Sequence, residues 1–290
     1  MIRRMRLLVT ADLHYNHPRS RRLAETLIRE MNSVPADVLL VIGDTASADG
    51  DALETCLGLF RFDGPKLFVA GNHELWTHGP DSYALLRDAF PRRIEAMGWH
   101  WLEDRPFTWG DFAIVGSIGW YDYSYAPPDL GIPLRFYQHK VSPGAAARLE
   151  QYAGLLSPGD DIAPAAMEIC SRWNDGRFVK LGRSDPAFLD ELLQRLAEQL
   201  HDVRSARHVI AAVHHVPFVQ LLPPHARGQW AFARAYLGSA RIGTTLLRAA
   251  NLRLVLCGHS HLPAEADIGT VRAVNIGSGY RVKRYRLLNL

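Results

Sequence analysis

Five times along the chain, a short and nearly unbroken apolar run stops at a cluster of residues able to bind a metal ion. Residues 6–10 run into Asp12-Leu-His14, residues 37–42 into Gly43-Asp44, and residues 66–70 into Gly71-Asn72-His73-Glu74. Residues 208–213 run into His214-His215, and residues 252–257 into Gly258-His259-Ser-His261. Apolar runs of this length read as strands buried on both faces. Open α/β sheets build their sites at the carboxyl ends of such strands. The repetition therefore constrains the chain to sheets whose strand ends converge on shared chemistry.

Helical periodicity fills the spaces between these runs. Segment 20–31 places Leu23, Leu27, Ile28 and Met31 on one face, and segment 51–60 does so with Leu53, Leu57 and Phe60. Segment 82–97 repeats the pattern with Leu86, Phe90, Ile94 and Met97. Asp185-Pro186 reads as an N-cap followed by Pro at the first helical position, opening a helix that turns Phe188, Leu189, Leu192, Leu193, Leu196 and Leu200 inward. Alternating strands and helices predict a layered α/β fold. Trp109-Gly110-Asp111 and Ile268-Gly269 mark two hairpins.

Residues 121–184 break the alternation with Pro, Gly, aromatics and short helical patches at 144–156 and 164–173. A structureless loop of that length does not suit a compact domain, so the segment reads as an insertion or cap over the sheet ends. The expectation is one catalytic domain over 1–290 carrying an insertion at about 121–184.

The 290 residues are 48% hydrophobic and 22% charged, which excludes disorder, collagen-like repeats and coiled coil for the whole chain. Cys56, Cys170 and Cys257 are too few and too scattered for a disulfide framework or a thiolate zinc site, which fits a reducing compartment. The opening Met1-Ile-Arg-Arg-Met-Arg-Leu-Leu-Val-Thr is basic but has too short an apolar run for a secretory signal, and no membrane-spanning run follows. A cytoplasmic protein without membrane attachment is expected. The net charge of +3 suits a small anionic substrate and falls short of a dedicated nucleic-acid binder. Oligomeric state is not legible. No P-loop, dinucleotide fingerprint or Gly-x-Ser-x-Gly elbow is present, so ATPase, dehydrogenase and serine hydrolase chemistry have no footing.

Singly, each polar cluster is unremarkable; five in sequence, each after a buried strand, are not chance. They offer carboxylates, an amide oxygen and imidazoles without thiolates, which suits Mn²⁺, Fe, Zn²⁺ or Co²⁺ better than Ca²⁺ or a structural zinc. Seven such donors exceed one tetrahedral site and divide between two ions.

The series Asp12-x-His14, Gly43-Asp44, Gly71-Asn72-His73-Glu74, His214 and Gly258-His259-x-His261 resembles the five-motif signature of the calcineurin-like metallophosphoesterase superfamily. The resemblance runs from Asp12 to His261 with every motif in order. It implies a four-layer α-β-β-α sandwich of two mixed sheets flanked by helices, with a dinuclear metal site at the strand C-terminal ends. It further implies one ion held by Asp12, His14 and His261, a second by Asn72, His214 and His259, and Asp44 bridging them. Of His214 and His215 the family pattern favours the first, although spacing alone leaves both open.

By the same resemblance, two divalent or iron ions, with Mn or Fe favoured, activate a bridging hydroxide that attacks a phosphomonoester or phosphodiester. His73 is implied as the catalytic residue that stabilises or protonates the leaving oxygen, with Asp12 expected as its carboxylate partner. A nuclease of the same superfamily and a non-catalytic scaffold are the rival readings. One departure stands out. Many members have Gly-Asp-x-x-Asp at the second motif, whereas this chain has Ser47 at the last position, followed by Asp49 and Asp51. Either acid could substitute, or Ser47 or Asp51 could cap the next helix.

Tyr121, Tyr123, His139, Trp173 and Arg177 in the insertion are candidate substrate contacts, weighed against a small local core that also takes in Tyr125, Phe136 and Tyr137. Gln229 and Trp230 are weaker candidates of the same kind. His17, Arg19, Arg21 and Arg22 read as a solvated helix start or as a rim meeting phosphate. Arg281, Lys283, Arg284 and Arg286 read as surface charge, and Asn275-Ile-Gly-Ser278 as a structural turn. His78, His100, His201, His208 and His225 read as surface or packing residues.

Overall fold

The computed structural model describes residues 4–157, 159–224 and 227–290, so His225 and the first three residues lie outside the described residues. The first sheet contains β1 (Arg6–Ala11), β2 (Val38–Ile42), β3 (Lys66–Val69), β4 (His100–Trp101) and β11 (Tyr285–Asn289). Its order is β11-β1-β2-β3-β4, parallel except for β11. The second contains β5 (Phe107–Trp109), β6 (Phe112–Ser117), β7 (His208–Val213), β8 (Leu252–Cys257), β9 (Ala264–Ile268) and β10 (Val271–Asn275). Its order is β5-β6-β7-β8-β10-β9, with antiparallel pairs only at the two edges. Those edge pairs are the two expected hairpins, closed by the tight turns at Gly110 and Gly269, both at positive φ.

Strand alternation divides the apolar residues between two cores. Leu7, Val9, Leu40, Ile42 and Val69 of the first sheet meet Ile114, Ile210, Ala212, Leu256 and Val274 of the second. Their neighbours Leu8, Leu39, Val41, Val115, Ala211 and Val255 turn outward to the helices. Each fully buried aliphatic side chain contributes about 1.5–3 kcal/mol, which explains why the runs lack polar residues. The result is the expected two mixed sheets flanked by helices.

Helix α1 (Pro18–Met31) buries Ser20, Ala24, Leu27, Ile28 and Met31. Leu23, expected inward, is 40% exposed at the edge of that stripe. Helix α2 (Ala52–Gly58) buries Leu53, Cys56 and Leu57. Helix α3 (82–96) takes a π turn at Leu85–Ala89, where the Phe90 N–H reaches the Leu85 carbonyl just before Pro91, which has no N–H to donate. Helices α4 (Asp185–Asp202) and α5 (Ala240–Leu246) cover the second sheet.

The α4 cap corrects the sequence reading. Ser184 is the N-cap, its Oγ accepting the Ala187 N–H at 3.3 Å. Asp185 instead turns inward, accepting from Trp120 Nε1 at 2.8 Å, from the Tyr123 hydroxyl, and from Lys140 Nζ at 2.5 Å. Residues 121–184 contain short helical turns, and Phe136, Val141, Ala145 and Ala146 form a small separate core there.

Candidate metal centre

Three strands of the first sheet and two of the second end at one edge of the sandwich, and the polar clusters meet there. Asp12, Asp44 and Asn72 follow β1, β2 and β3; His214 and His259 follow β7 and β8. Backbone bonds cross between the loops: Asp12 N to Gly43 O (3.0 Å), His14 N to Asp44 O (2.8 Å) and Gly258 N to His214 O (3.1 Å). The Asp12 carboxylate joins the sheets by accepting the His259 N–H at 3.0 and 3.2 Å.

The sharp exits require unusual backbone. Asp12, His14, Asp44, His259 and His261 all have left-handed φ, leaving only Tyr123 and Lys140 as other non-glycine examples among the described residues. Such conformations cost about 1–3 kcal/mol each, so the surroundings must hold them. Glu74 holds the Asp44 loop. Its buried carboxylate accepts the N–H groups of Gly71 (2.6 Å), Asp44 (2.8 Å), Thr45 (2.6 Å) and Ala46 (3.2 Å). Burial pushes the Glu74 carboxyl up to about 7, while these donors favour its ionised form.

Two groups of donor atoms result, each within 4.8 Å: Asp12, His14, Asp44 and His261 in one, Asp44, His214 and His259 in the other. His14 Nε2 faces His261 Nε2 at 2.9 Å, and His214 Nε2 lies 3.2 Å from His259 Nδ1 and 3.3 Å from Asp44 Oδ1. Asn72 Oδ1 is buried and has no hydrogen-bond partner. Imidazole nitrogens aimed at one another, an orphaned amide oxygen and two buried carboxylates make a donor set that a cation would satisfy, so the residues fit a metal. Burial pushes the Asp12 carboxyl up to about 8, with Asp44 adding to the rise. Burial opposes ionisation of Asp44 too, but the surrounding imidazoles of His214, His73 and His14 hold it well below the usual carboxylate range. His215 Nδ1 bonds the Ile118 carbonyl at 2.9 Å, and its ring lies 4.3 Å from that of His259.

His73 does not pair with Asp12 as expected. Its Nε2 lies 3.8 Å from Asp44 Oδ2, its N–H donates to Asp44 Oδ1 at 2.9 Å, and its ring stacks on Trp76 at 3.6 Å. The acids after Ser47 do not replace the absent one either. Asp49 ties Thr77 and His78, Asp51 makes no capping bond, and Ser47 accepts from Asn16 at 3.0 Å.

Segment 121–184 reaches the candidate centre through a residue that sequence reasoning missed. Asp175 is fully buried and accepts from Asn72 Nδ2 (2.8 Å), Trp76 Nε1 (2.6 Å), Trp173 Nε1 (2.7 Å) and the Tyr121 hydroxyl (3.0 Å). These bonds fix the Asn72 amide with Oδ1 turned from Asp175. Tyr121 and Tyr123 are therefore buried supports committed to Asp175 and Asp185, which corrects their reading as substrate contacts. Trp173 stacks on Tyr236 and meets His259 edge-on at 5.8 Å. His139 and Arg177 are exposed, the latter lying over Phe178.

Two C-terminal residues were also missed. Tyr280 stacks on His14 at 4.3 Å. Lys283, read as surface charge, donates to the Asp12 carbonyl at 2.6 Å, and burial brings its ammonium down to about 8. Asn275 braces the Gly258 carbonyl, its Nδ2 donating at 2.7 Å.

Among curated proteins, the chain is 34% identical over 131 residues to the [acyl-carrier-protein] phosphodiesterase PptH of Mycobacterium tuberculosis, covering 42% of this chain and 39% of that one. It is 27% identical over 111 residues to a bovine transmembrane protein with metallophosphoesterase domain, covering 34% of this chain and 25% of that one. The matches thus span well under half of either relative. Among solved structures, the M. tuberculosis phosphopantetheinyl hydrolase PptH superposes with a TM-score of 0.68 at 22% identity, covering 95% of this chain and 89% of that one. A dimetal phosphatase from Danio rerio gives a TM-score of 0.52 at 15% identity, covering 95% and 88%. No helix among the described residues is long and apolar enough to cross a membrane. The calcineurin-like phosphoesterase family model matches residues 5–263, so the chain belongs to that family of metal-dependent phosphoric ester hydrolases.

Proposed function

We propose that the protein hydrolyses phosphodiesters at a dinuclear metal centre. Asp12, His14 and His261 would hold one ion, Asn72, His214 and His259 the other, with Asp44 shared. The observation that carries this reading is the place of Asp44 in both groups of converging donor atoms. Bound divalent ions supply Lewis acidity, neutralising phosphoryl charge and acidifying water near neutral pH.

The chain's own residues then position and stabilise. Asp175 orients Asn72, and Glu74 holds the strained Asp44 loop. His73 stands at the edge of the centre, 8% exposed and braced by Trp76, where its imidazole can donate a hydrogen bond to the departing oxygen. Burial lowers its pKa, against the opposing pull of Asp44 and Asp175. The mycobacterial relative named an acyl-carrier-protein phosphodiesterase supports a diester over a monoester.

A panel tests the reading: bis(p-nitrophenyl) phosphate, p-nitrophenyl phosphate, single-stranded DNA and holo-acyl carrier protein, each with Mn²⁺ and with chelator. Chelator-sensitive turnover should be greatest on a small diester or on the carrier protein. Greater turnover on p-nitrophenyl phosphate or DNA would redirect the assignment, and none on any substrate would contradict it.

A further inference from the structure

We propose that the cavity beside the metal centre is a subsite for a second phosphate, carried on an ester group of the substrate. The proposal rests on the phosphodiesterase reading above. The cavity, of about 430 Å³, is lined by residues including His17, Arg19, Tyr280, Arg281 and Arg284, and its wall includes His261. That volume suits a small organic ligand.

Tyr280 connects the cavity to the centre. Its ring meets those of His14 at 4.3 Å and His261 at 5.1 Å, and that of His17 at 4.8 Å. A substrate with its scissile phosphorus at the metal donors therefore has a short path past this ring into the cavity.

Charge decides what the cavity accepts. Three arginines line it and no Asp or Glu does. Arg284 is held in place by Nη1 donating to the Gly277 carbonyl at 2.8 Å. Arg19 and Arg281 are exposed, and neither side chain bonds a carboxylate among the described residues. Arg19 lies in the first turn of α1, which contains no acid to offset the partial positive charge of the helix start. Guanidinium groups present planar forks of donors matched to phosphate oxygens. Leu262 and Val282, each 49% exposed, offer apolar surface beside them for the carbon frame joining the two phosphates.

Calorimetric titration of the Mn²⁺-loaded protein with thymidine 5′-monophosphate and thymidine 3′,5′-bisphosphate tests this. The bisphosphate should bind about tenfold more tightly or better, as charge-assisted hydrogen bonds imply. In the Arg19→Ala/Arg281→Ala variant, which leaves only Arg284 in the cavity, the ratio should fall by at least about threefold, with Tm unchanged because both side chains are exposed. Equal dissociation constants in the wild type, no saturable binding of the bisphosphate, or a ratio that survives the double substitution would overturn the subsite. Wild-type turnover of bis(p-nitrophenyl) phosphate, which carries no second phosphate, is measured alongside. Its absence would contradict the phosphodiesterase reading, while the binding ratio alone decides the subsite.

Discussion

Asn72 and Asp175, 103 residues apart in the chain, are joined by a buried 2.8 Å hydrogen bond from the Asn72 amide to the Asp175 carboxylate. An Asn side chain has one donor end and one acceptor end. Committing the donor to Asp175 leaves the acceptor for a cation, so segment 121–184 helps to shape the candidate metal centre. Partners of metal ligands typically change metal affinity by about 10–100-fold when altered. Asp175→Asn should weaken metal binding within that range, as measured by competition with a chromogenic chelator. Unchanged affinity would remove Asp175 from the centre's support.

Gly71 has no room for a side chain. A Cβ there would lie 2.5 Å from the Asp44 nitrogen and 2.9 Å from His214 Cε1. Gly71→Ala should therefore displace Asp44 or His214 and lose both metal occupancy and turnover. Elemental analysis of the purified variant checks this, and a fully loaded variant would show that the loop can yield.

His73 and Asp44 should separate chemistry from binding. His73→Ala is expected to retain metal while turnover falls by roughly 10²–10³, the usual worth of a preorganised hydrogen-bond donor. Asp44→Asn should instead lose metal, since it removes charge common to both donor groups. The two variants are compared by metal content and by kcat; equal metal loss in both would contradict the division of roles.

Glu103 gives a pH dependence away from the centre. It is 3% exposed with Oε1 unpaired, and burial is the chief cause pushing its carboxyl up to about 7. Between the unfolded carboxyl pKa of about 4.3 and that value, the folded chain holds a proton that the unfolded chain has released. Stability should thus fall as pH rises through this window and level off above it. Glu103→Gln should remove that contribution, gaining up to about 3 kcal/mol over the wild type at pH 8 and nothing near pH 4. Urea unfolding at the two pH values measures the difference; a gain of equal size at both would implicate packing instead.

The strands and hairpins were legible because both-face burial leaves an unbroken apolar run, as in Val38–Ile42, whose five residues are all buried. The clustering of Asp12, Asp44, Asn72, His214 and His259 followed from strand ends sharing one edge. Asp175 was not legible: it sits in a short turn without periodicity, and its partners lie far away in sequence. Lys283 sits in a run of basic residues that reads as solvated surface, and only the antiparallel pairing of β11 with β1 brings it to Asp12. Asp185 satisfied a capping pattern, yet three inward donors claim its carboxylate and Ser184 caps in its place. Local rules place residues on elements; they do not show which distant groups compete for them.

The central claim is most directly tested by stripping the protein with chelator and titrating Mn²⁺ back, following bound metal by elemental analysis and turnover of bis(p-nitrophenyl) phosphate together. Turnover should vanish on stripping and return fully as two equivalents of metal bind per chain. Undiminished turnover by the metal-free protein, or full recovery at one equivalent, would contradict the dinuclear phosphodiesterase.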